Sequence, residues 1–353
     1  MAHNILITGA SGYLGGTLLA RWAEAKLTGY TKLFALVRTD AQAEAVRKYG
    51  AEPLSFSSND EDAVREAVVR HQITIVYWLI DAISSTGQVN YIKALAEVKR
   101  LTGKEVHLLH TTGTKQFSSH AGAPTEKPLL DTDPELYNIQ KGQTAPIAIM
   151  QRSVEASNTV IEQAEAHGVR SYIFAPCIVY GRGEGFGNQI SIQTVAIVKA
   201  AREAGRVYSV TAGQPAWPVC HIIDTTTLYL QILRSILNNE NPGHGKNGYY
   251  LASSGSVHWN ELYRAMAKAL LKRGVVSTDE VIPADENSLK AMAKGLDGDL
   301  SLVEMHLAGK CTFTAKHGVE IGWRPQYGPD HILDAADEEV ALILSNLGQD
   351  FGN

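Results

Sequence analysis

The first fifteen residues narrow the possible folds more than any other stretch. His3 to Thr8 is a short apolar run of strand character. It leads directly into Gly9-Ala-Ser-Gly12-Tyr-Leu-Gly15, and a helical pattern follows with Leu14, Leu18, Leu19 and Trp22 on one face. Strand, glycine turn and helix in that order form a phosphate cradle. Gly9 permits the tight turn, Gly12 lets the backbone approach a pyrophosphate, and Gly15 lets the helix pack close to the sheet. The helix N-terminus presents free N–H groups and the positive end of a dipole to the phosphates. Ser11, Tyr13 and Leu14 lie within the same turn and are counted with it as dinucleotide contacts. Glycines alone would mark only a structural turn; their place between a strand and a helix makes the signal specific.

The next segments repeat the alternation. Lys32 to Val37 is a second strand and ends in Arg38. A cofactor without a 2′-phosphate meets an acidic residue there, whereas the guanidinium fork of Arg38 suits a 2′-phosphate and points to NADP(H) over NAD(H). Asp40 weighs against this, and a solvated surface arginine is the plain alternative. Ala51 to Phe56 is a third strand, followed by Ser57-Ser58-Asn59-Asp60. Asn59 and Asp60 are adenine-side candidates, and Asp60 can also cap a helix over 61–70. Ile73 to Ile80 is a fourth strand, with Leu79 and Ile80 at its cofactor end, and Val106 to Thr111 a fifth. The pattern predicts an α/β fold: a doubly wound parallel sheet of Rossmann type with ligands at the strand C-termini.

A chain of 353 residues accommodates a dinucleotide-binding domain over 1–180. A smaller C-terminal lobe over 181–353 is expected mainly to bind substrate, with some segments returning to the sheet. A net charge of −5 argues against a nucleic-acid or anionic-membrane partner. The apolar run from Ile73 to Ile83 is too short to span a bilayer and contains Asp81. The start MAHNILITGASG has no signal-peptide pattern, and Cys177, Cys220 and Cys311 are scattered, so a cytoplasmic location is expected. His107 and His110 lie three apart on a strand, facing opposite sides, and no HExxH is present, so no metal is expected. There is no GxSxG to support a hydrolase triad.

The motifs together resemble those of the extended short-chain dehydrogenases/reductases of the NAD-dependent epimerase/dehydratase family. TGASGYLG is close to that family's glycine motif. Phe174-Ala-Pro-Cys-Ile-Val-Tyr-Gly181 resembles its RPxxVYG segment, Val219-Cys-His-Ile-Ile-Asp224 its xVHVxD strand, and Ile321-Gly-Trp-Arg-Pro325 its LGWxP turn. The resemblance spans almost the whole chain. It implies that Pro176, Ile178 and Val179 lie along the nicotinamide, with Thr111 close by, and that Thr112 is the hydroxyl that bonds a substrate carbonyl. Simple satisfaction of loose backbone groups explains those threonines equally well.

In that family a Tyr and a Lys four residues apart stand near the start of the helix before the sixth strand. The Tyr moves a proton at the substrate oxygen while the Lys holds the ribose and lowers the Tyr pKa. Here that helix reads back from His167-Gly168, and its register puts Met150 where Tyr belongs, Val154 where Lys belongs, and Ser153 just before. Neither Met nor Val can move a proton. A Tyr-xxx-Lys pair does occur earlier, as Tyr137 and Lys141, but Gly142 and Pro146 separate it from the helix. A short turn from Pro134 to Lys141 could aim both side chains over the cleft or out to solvent. Tyr137 is the first candidate for a substitute acid, with Lys141 as its partner.

The loop Gly181-Arg-Gly-Glu-Gly-Phe-Gly187 could close over a ligand or merely connect, and Tyr208, Trp217, Trp259 and Trp323 could wall a partly apolar ligand or belong to the core. The resulting expectation is an NADP(H)-dependent oxidoreductase acting on a small, partly apolar carbonyl or alcohol with an altered dyad. A non-redox isomerase, lyase or cyclase, and a dinucleotide sensor, share the same glycine turn and stand as alternatives. A homodimer is compatible with the sequence but not dictated by it.

Overall fold

The computed structural model describes residues 2–347. The first five strands are β1 (His3–Ile7), β2 (Tyr30–Leu36), β3 (Glu52–Leu54), β4 (Ile75–Trp78) and β5 (His107–Thr111). After a two-residue β6 (Leu129–Leu130) come β7 (Arg170–Pro176), β8 (Ile178–Tyr180), β9 (Tyr208–Ser209), β10 (Ala216–His221) and β11 (Tyr249–Ala252). The chain ends with β12 (Gly255–His258), β13 (Ile282–Pro283) and β14 (Phe313–Thr314). Seven strands form one sheet in the order β11-β7-β5-β4-β1-β2-β3, and every neighbouring pair is parallel. β4 and β5 are buried along their whole length, as strands must be when helices cover both faces. This is the doubly wound sheet the alternation predicts.

The helices of the sheet's first half are α1 (Tyr13–Ala20), α2 (Asp40–Arg47), α3 (Glu61–Arg70) and α4 (Thr86–Thr102). Thr39 caps α2 and Asp60 caps α3 by accepting from amides in the first turn, and α4 stops at Gly103 in the left-handed conformation. Next come α5 (Leu136–Gly142) and α6 (Ala148–Ala166). Gly142 and Pro146 separate these two, and Gly168 at φ +66° follows the end of α6, so the helix has the length its sequence register requires.

Beyond β8 lie α7 (Gln193–Ala204), α8 (Ile222–Leu237), α9 (Trp259–Lys272), α10 (Glu286–Lys294), α11 (Leu300–Leu307), α12 (His317–Glu320), α13 (His331–Asp334) and α14 (Ala336–Asn346). β12, β10 and β8 form a small separate sheet, while β11 joins the edge of the main one. Asp224 on α8 accepts from the amides of Gln326 and Tyr327, at 2.8 and 3.0 Å, and the Trp323 indole donates to Thr227 Oγ1 at 3.0 Å. Two sequence motifs a hundred residues apart therefore dock on each other. Among the described residues no helix is long and apolar enough to cross a membrane. Cys177, Cys220 and Cys311 are all buried free thiols, and no metal-binding cluster occurs among the described residues.

Candidate active site

The strand order reverses between β1 and β4, and a cleft of about 800 Å³ opens at their C-terminal ends. Gly9, Ser11, Gly12, Arg38, Asn59, Leu79 and Ile80 line it. Gly9 adopts φ +68°, and a Cβ there would lie 2.7 Å from the Leu79 carbonyl oxygen. At Gly15 a Cβ would lie 2.3 Å from the Gly9 oxygen, so that glycine is required by packing alone. Gly12 differs. It sits at the N-cap of α1, supplies no side-chain cap, and its Cβ would be only moderately crowded, 3.2 Å from the Gly9 oxygen. Its bareness suits a phosphate outside more than any neighbour inside. These residues fit a dinucleotide, which would supply a nicotinamide for hydride chemistry when bound.

Several expected contacts lie elsewhere. Tyr13 is buried and its phenol donates to the Gly181 carbonyl at 2.6 Å; burial, with Glu339 nearby, pushes its pKa up. Leu14 packs against Tyr13, Val179, Ile222 and Ile223. Both side chains serve helix packing, because α1 turns them away from the cleft. Asp60 is taken up by its cap, accepting from the Ala63 amide at 3.0 Å, and does not line the cleft. The Gly181–Gly187 loop, which could close over a ligand or merely connect, is seated on α1. A Cβ at Gly185 would lie 2.5 Å from the Gly16 Cα, the Asn188 amide donates to the Ser11 carbonyl at 3.0 Å, and Glu184 grips Arg21 through both carboxylate oxygens. Gly16 and Gly185 allow that approach together, and no local pattern in either segment reveals it.

Ser57 and Ser58 line the cleft beside Asn59, as their place after the third strand suggests, and Phe56, Trp78, Asp81 and Gln88 also line it and were not foreseen. Their common signal is position at or just beyond a strand C-terminus, except Gln88, which α4 brings in. Of the two readings of the aromatics, core fits the tryptophans: Trp217, Trp259 and Trp323 are buried, while Tyr208 is half-buried.

Next along the sheet from β4 lie β5, with α6 and the turn Thr114–Phe117 beyond it. The Thr111 hydroxyl bonds the Tyr229 phenol at 2.8 Å inside the core, so it is not free for a cofactor. Thr112 takes the other direction. Its amide donates to the Phe174 carbonyl at 2.8 Å, and its hydroxyl accepts from Gln116 Nε2. That amide also reaches Ser153 Oγ at 2.6 Å, and Ser153 Oγ donates to the Ala82 carbonyl at 2.8 Å. Thr114 donates to the Pro176 carbonyl at 2.6 Å. Ile178 is fully buried and Val179 packs beside Tyr13, so neither side chain is open to the cleft. Cys177 is a buried filler whose thiol donates to the Ala252 carbonyl at 2.9 Å, and burial pushes its pKa well up.

Ser153 ties the start of α6 to Thr112, and Met150 and Val154 flank it one helical step apart. They pack with Ala121, and Ile147, Ile149 and Met305 lie against them. The surface beside Ser153 is therefore apolar.

Tyr137 and Lys141 do not approach it. They lie on α5 and meet Glu162 on α6. The Tyr137 phenol donates to Glu162 Oε1 at 2.6 Å, Lys141 Nζ donates to the phenol oxygen at 3.3 Å, and Lys141 forms an ion pair with Glu162. Glu162 is twelve residues beyond Met150, about 18 Å down the helix. Burial and then the Glu162 carboxylate raise the Tyr137 pKa, the opposite of what a proton donor needs. Gly142 and Pro146 break the chain so that α5 folds back along α6 instead of extending it. The pair therefore meets α6, and neither side chain lines the cleft.

Comparison with known proteins agrees with this architecture. A family model described as the NAD-dependent epimerase/dehydratase family matches residues 5–245. An oxidase, ucsJ, from an Acremonium species is 22% identical over 317 residues, covering 83% of this chain and 86% of the relative. Among solved structures, UDP-glucose 4-epimerase of Thermotoga maritima with UDP-glucose superposes with a TM-score of 0.63 at 15% identity, covering 97% of this chain and 99% of that one. dTDP-glucose 4,6-dehydratase of Bacillus anthracis in complex with NAD gives a TM-score of 0.64 at 12% identity, with 98% of each chain covered. With the family model spanning about two thirds of the chain, from the glycine turn through the helix Ala148–Ala166 to the segment around Asp224, the chain belongs to the NAD-dependent epimerase/dehydratase family.

Proposed function

We propose that the chain is an NADP(H)-dependent oxidoreductase acting on a small, partly apolar organic carbonyl or alcohol, with Met150 and Val154 in the places of the usual Tyr and Lys. One observation carries the cofactor choice: Arg38 stands on the rim of the cleft at the end of β2, where an acidic residue would serve a free ribose. Its backbone amide donates to Gln42 Oε1 at 2.9 Å, which fixes the strand end that presents it. A guanidinium fork there favours a 2′-phosphate. Thr112, held by Gln116, is the hydroxyl placed to bond a substrate carbonyl. Met150 and Val154 are buried in an apolar cluster near the start of α6, and neither carries a group that could move a proton. The soluble small molecule is the only class of partner this reading requires.

The test is a fluorescence titration with NADPH and NADH, followed by loss of dihydronicotinamide absorbance against a panel of carbonyls. NADPH should bind at least about tenfold tighter, a difference near 1.4 kcal/mol. Equal affinity for both cofactors would remove the Arg38 assignment. Tight NADPH binding with no turnover of any carbonyl would replace the redox reading with a non-redox one.

A further inference from the structure

We propose that the cavity at the C-terminal ends of β8 and β10 is a second ligand site, and that it takes a small organic cation, an ammonium group carried on an aromatic or other apolar body. The cavity has a volume of about 750 Å³ and shares no lining residue with the dinucleotide cleft. The proposal does not depend on the redox reading above. β8 and β10 run parallel, with Tyr180 beside His221 as the last residue of each. The C-terminal edge of parallel strands is where α/β folds place ligands. Other elements close the space: Arg21 follows α1, Tyr327 and His331 come from the turn before α13 and its start, and Glu338 and Glu339 from the first turn of α14. The turn that carries Tyr327 is fixed from behind, because Asp224 accepts from the amides of Gln326 and Tyr327.

Two properties of the walls select the ligand. The first is aromatic. The ring centroids of Tyr180 and His221 lie 5.2 Å apart, those of His221 and Tyr327 4.1 Å, and those of Tyr327 and His331 4.6 Å. The Tyr180 phenol and His331 Nδ1 bond each other at 3.0 Å. Tyr180 is fully buried, but Tyr327 and His331 are half-buried and line the cavity, so ring surface is left open to it.

The second property is charge. The lining holds the guanidinium groups of Arg21 and Arg182 and the carboxylates of Glu184, Glu338 and Glu339. Arg21 and Glu184 cancel each other through two hydrogen bonds, at 2.7 and 2.8 Å. Arg182 is exposed, and its Nη1 donates to Gln189 Oε1 at 3.3 Å. One guanidinium then stands against the carboxylates of Glu338 and Glu339. Glu339 is only 3% exposed. Thr194 Oγ1 donates to one of its oxygens at 2.7 Å and the Gly181 amide to the other at 2.8 Å, and the N-terminal turn of α14 steadies it further. No cation pairs with Glu338 or Glu339 among the described residues. Each Glu339 oxygen keeps a second acceptor position, and a carboxylate out of water is costly without a cation. An anion would meet this surplus of negative charge with Arg21 already taken. The described residues include no metal-binding cluster. An apolar ligand without charge would cover Glu339 and give it no partner. The face of Tyr327 adds to the preference, since an aromatic ring attracts a cation.

The experiment titrates the full-length protein by calorimetry with benzylammonium, and with benzyl alcohol and benzoate as its neutral and anionic counterparts. Benzylammonium should bind at least about tenfold tighter than either. Glu339→Gln removes the charge and should weaken benzylammonium by about tenfold or more. Tyr327→Leu removes the ring and Glu338→Lys inverts a charge on the exposed side, and each should weaken it by about fivefold. A thermal melt checks that each variant folds, and if Glu339→Gln does not, the other two decide. Equal affinity for benzylammonium and benzyl alcohol overturns the proposal, as does no binding of benzylammonium at about 10 mM. Affinity unchanged in both Tyr327→Leu and Glu338→Lys overturns it as well. A cation lost in Gly12→Val but kept in Tyr327→Leu sits in the dinucleotide cleft, which is the remaining way for the proposal to fail.

Discussion

The β1–β4 switch and the region after β5 are built on different principles. At the switch the phosphate cradle is backbone, the glycine turn and the N-terminus of α1, with side chains such as Arg38, Asn59 and Trp78 around it. After β5 the structure is held by side chains: Thr112, Gln116 and Ser153 in one network, with Met150 and Val154 packed beside it. A backbone site tolerates few changes, because its chemistry is the path of the chain. A side-chain site can exchange its acid while the scaffold stays. On the proposed reading, that is how one end of this chain keeps the family's letters while Met150 and Val154 stand at the other.

The strongest way to test this contrast is at Gly12. Gly12→Val should reduce NADPH affinity by more than about a hundredfold while leaving the melting temperature nearly unchanged, because its methyl groups would fill the phosphate space. Gly15→Val should instead fail in folding, since its Cβ would lie 2.3 Å from the Gly9 oxygen. If both variants fold and bind alike, the division between a ligand-facing and a packing glycine is wrong. Next in size is Arg38→Asp. It should cost about tenfold or more in NADPH affinity and improve NADH, reversing the preference. An unchanged ratio would show that the side chain never meets the 2′ position.

Stability against pH sharpens the other end. The Lys115 pKa is lowered from 10.5 to about 8 by burial. The unfolded chain then binds a proton that the folded chain has released between those values, so wild-type stability should rise as pH increases through that window. Below pH 8 the burial cost is fully present. Lys115→Met removes it and should stabilise the protein at pH 7 by about 1–2 kcal/mol, less than the full shift because the residue is partly exposed. It should also flatten the rise, which chemical denaturation at several pH values would measure. The smallest effect concerns Tyr137→Phe. It deletes one hydrogen bond to an exposed carboxylate, so about 1 kcal/mol of stability should be lost with no change in kcat. A rate loss of a hundredfold would restore Tyr137 as the acid and contradict its place against Glu162.

How far the sequence could be read follows the same division. Gly9, Gly12 and Gly15 disclosed the switch-point cleft, because a fixed spacing of glycines between strand and helix has one geometric use. The helix Ala148–Ala166, with Met150 and Val154 on one face, was legible from its glycine stop. The side chains of Tyr13, Leu14 and Thr111 turn into the packing, which the motif does not disclose, because neighbours in a motif can point to opposite sides of an element. Tyr137 and Lys141 had the right spacing, but spacing does not say which partner a helix face meets.

The amino-acid order by itself determined the strand–helix alternation, the phosphate turn and the register of the helix that carries Met150 and Val154. These depend on local backbone conformation and on residue identity, which are written along the chain. Only the tertiary structure decided that Glu162 takes up the Tyr137–Lys141 pair, that Gly185 rests on Gly16, and that His306 meets Lys115. Each of these joins segments between about 20 and 190 positions apart, and such contacts are set by how helices pack on the sheet, for which no local pattern in the sequence is a sufficient cause.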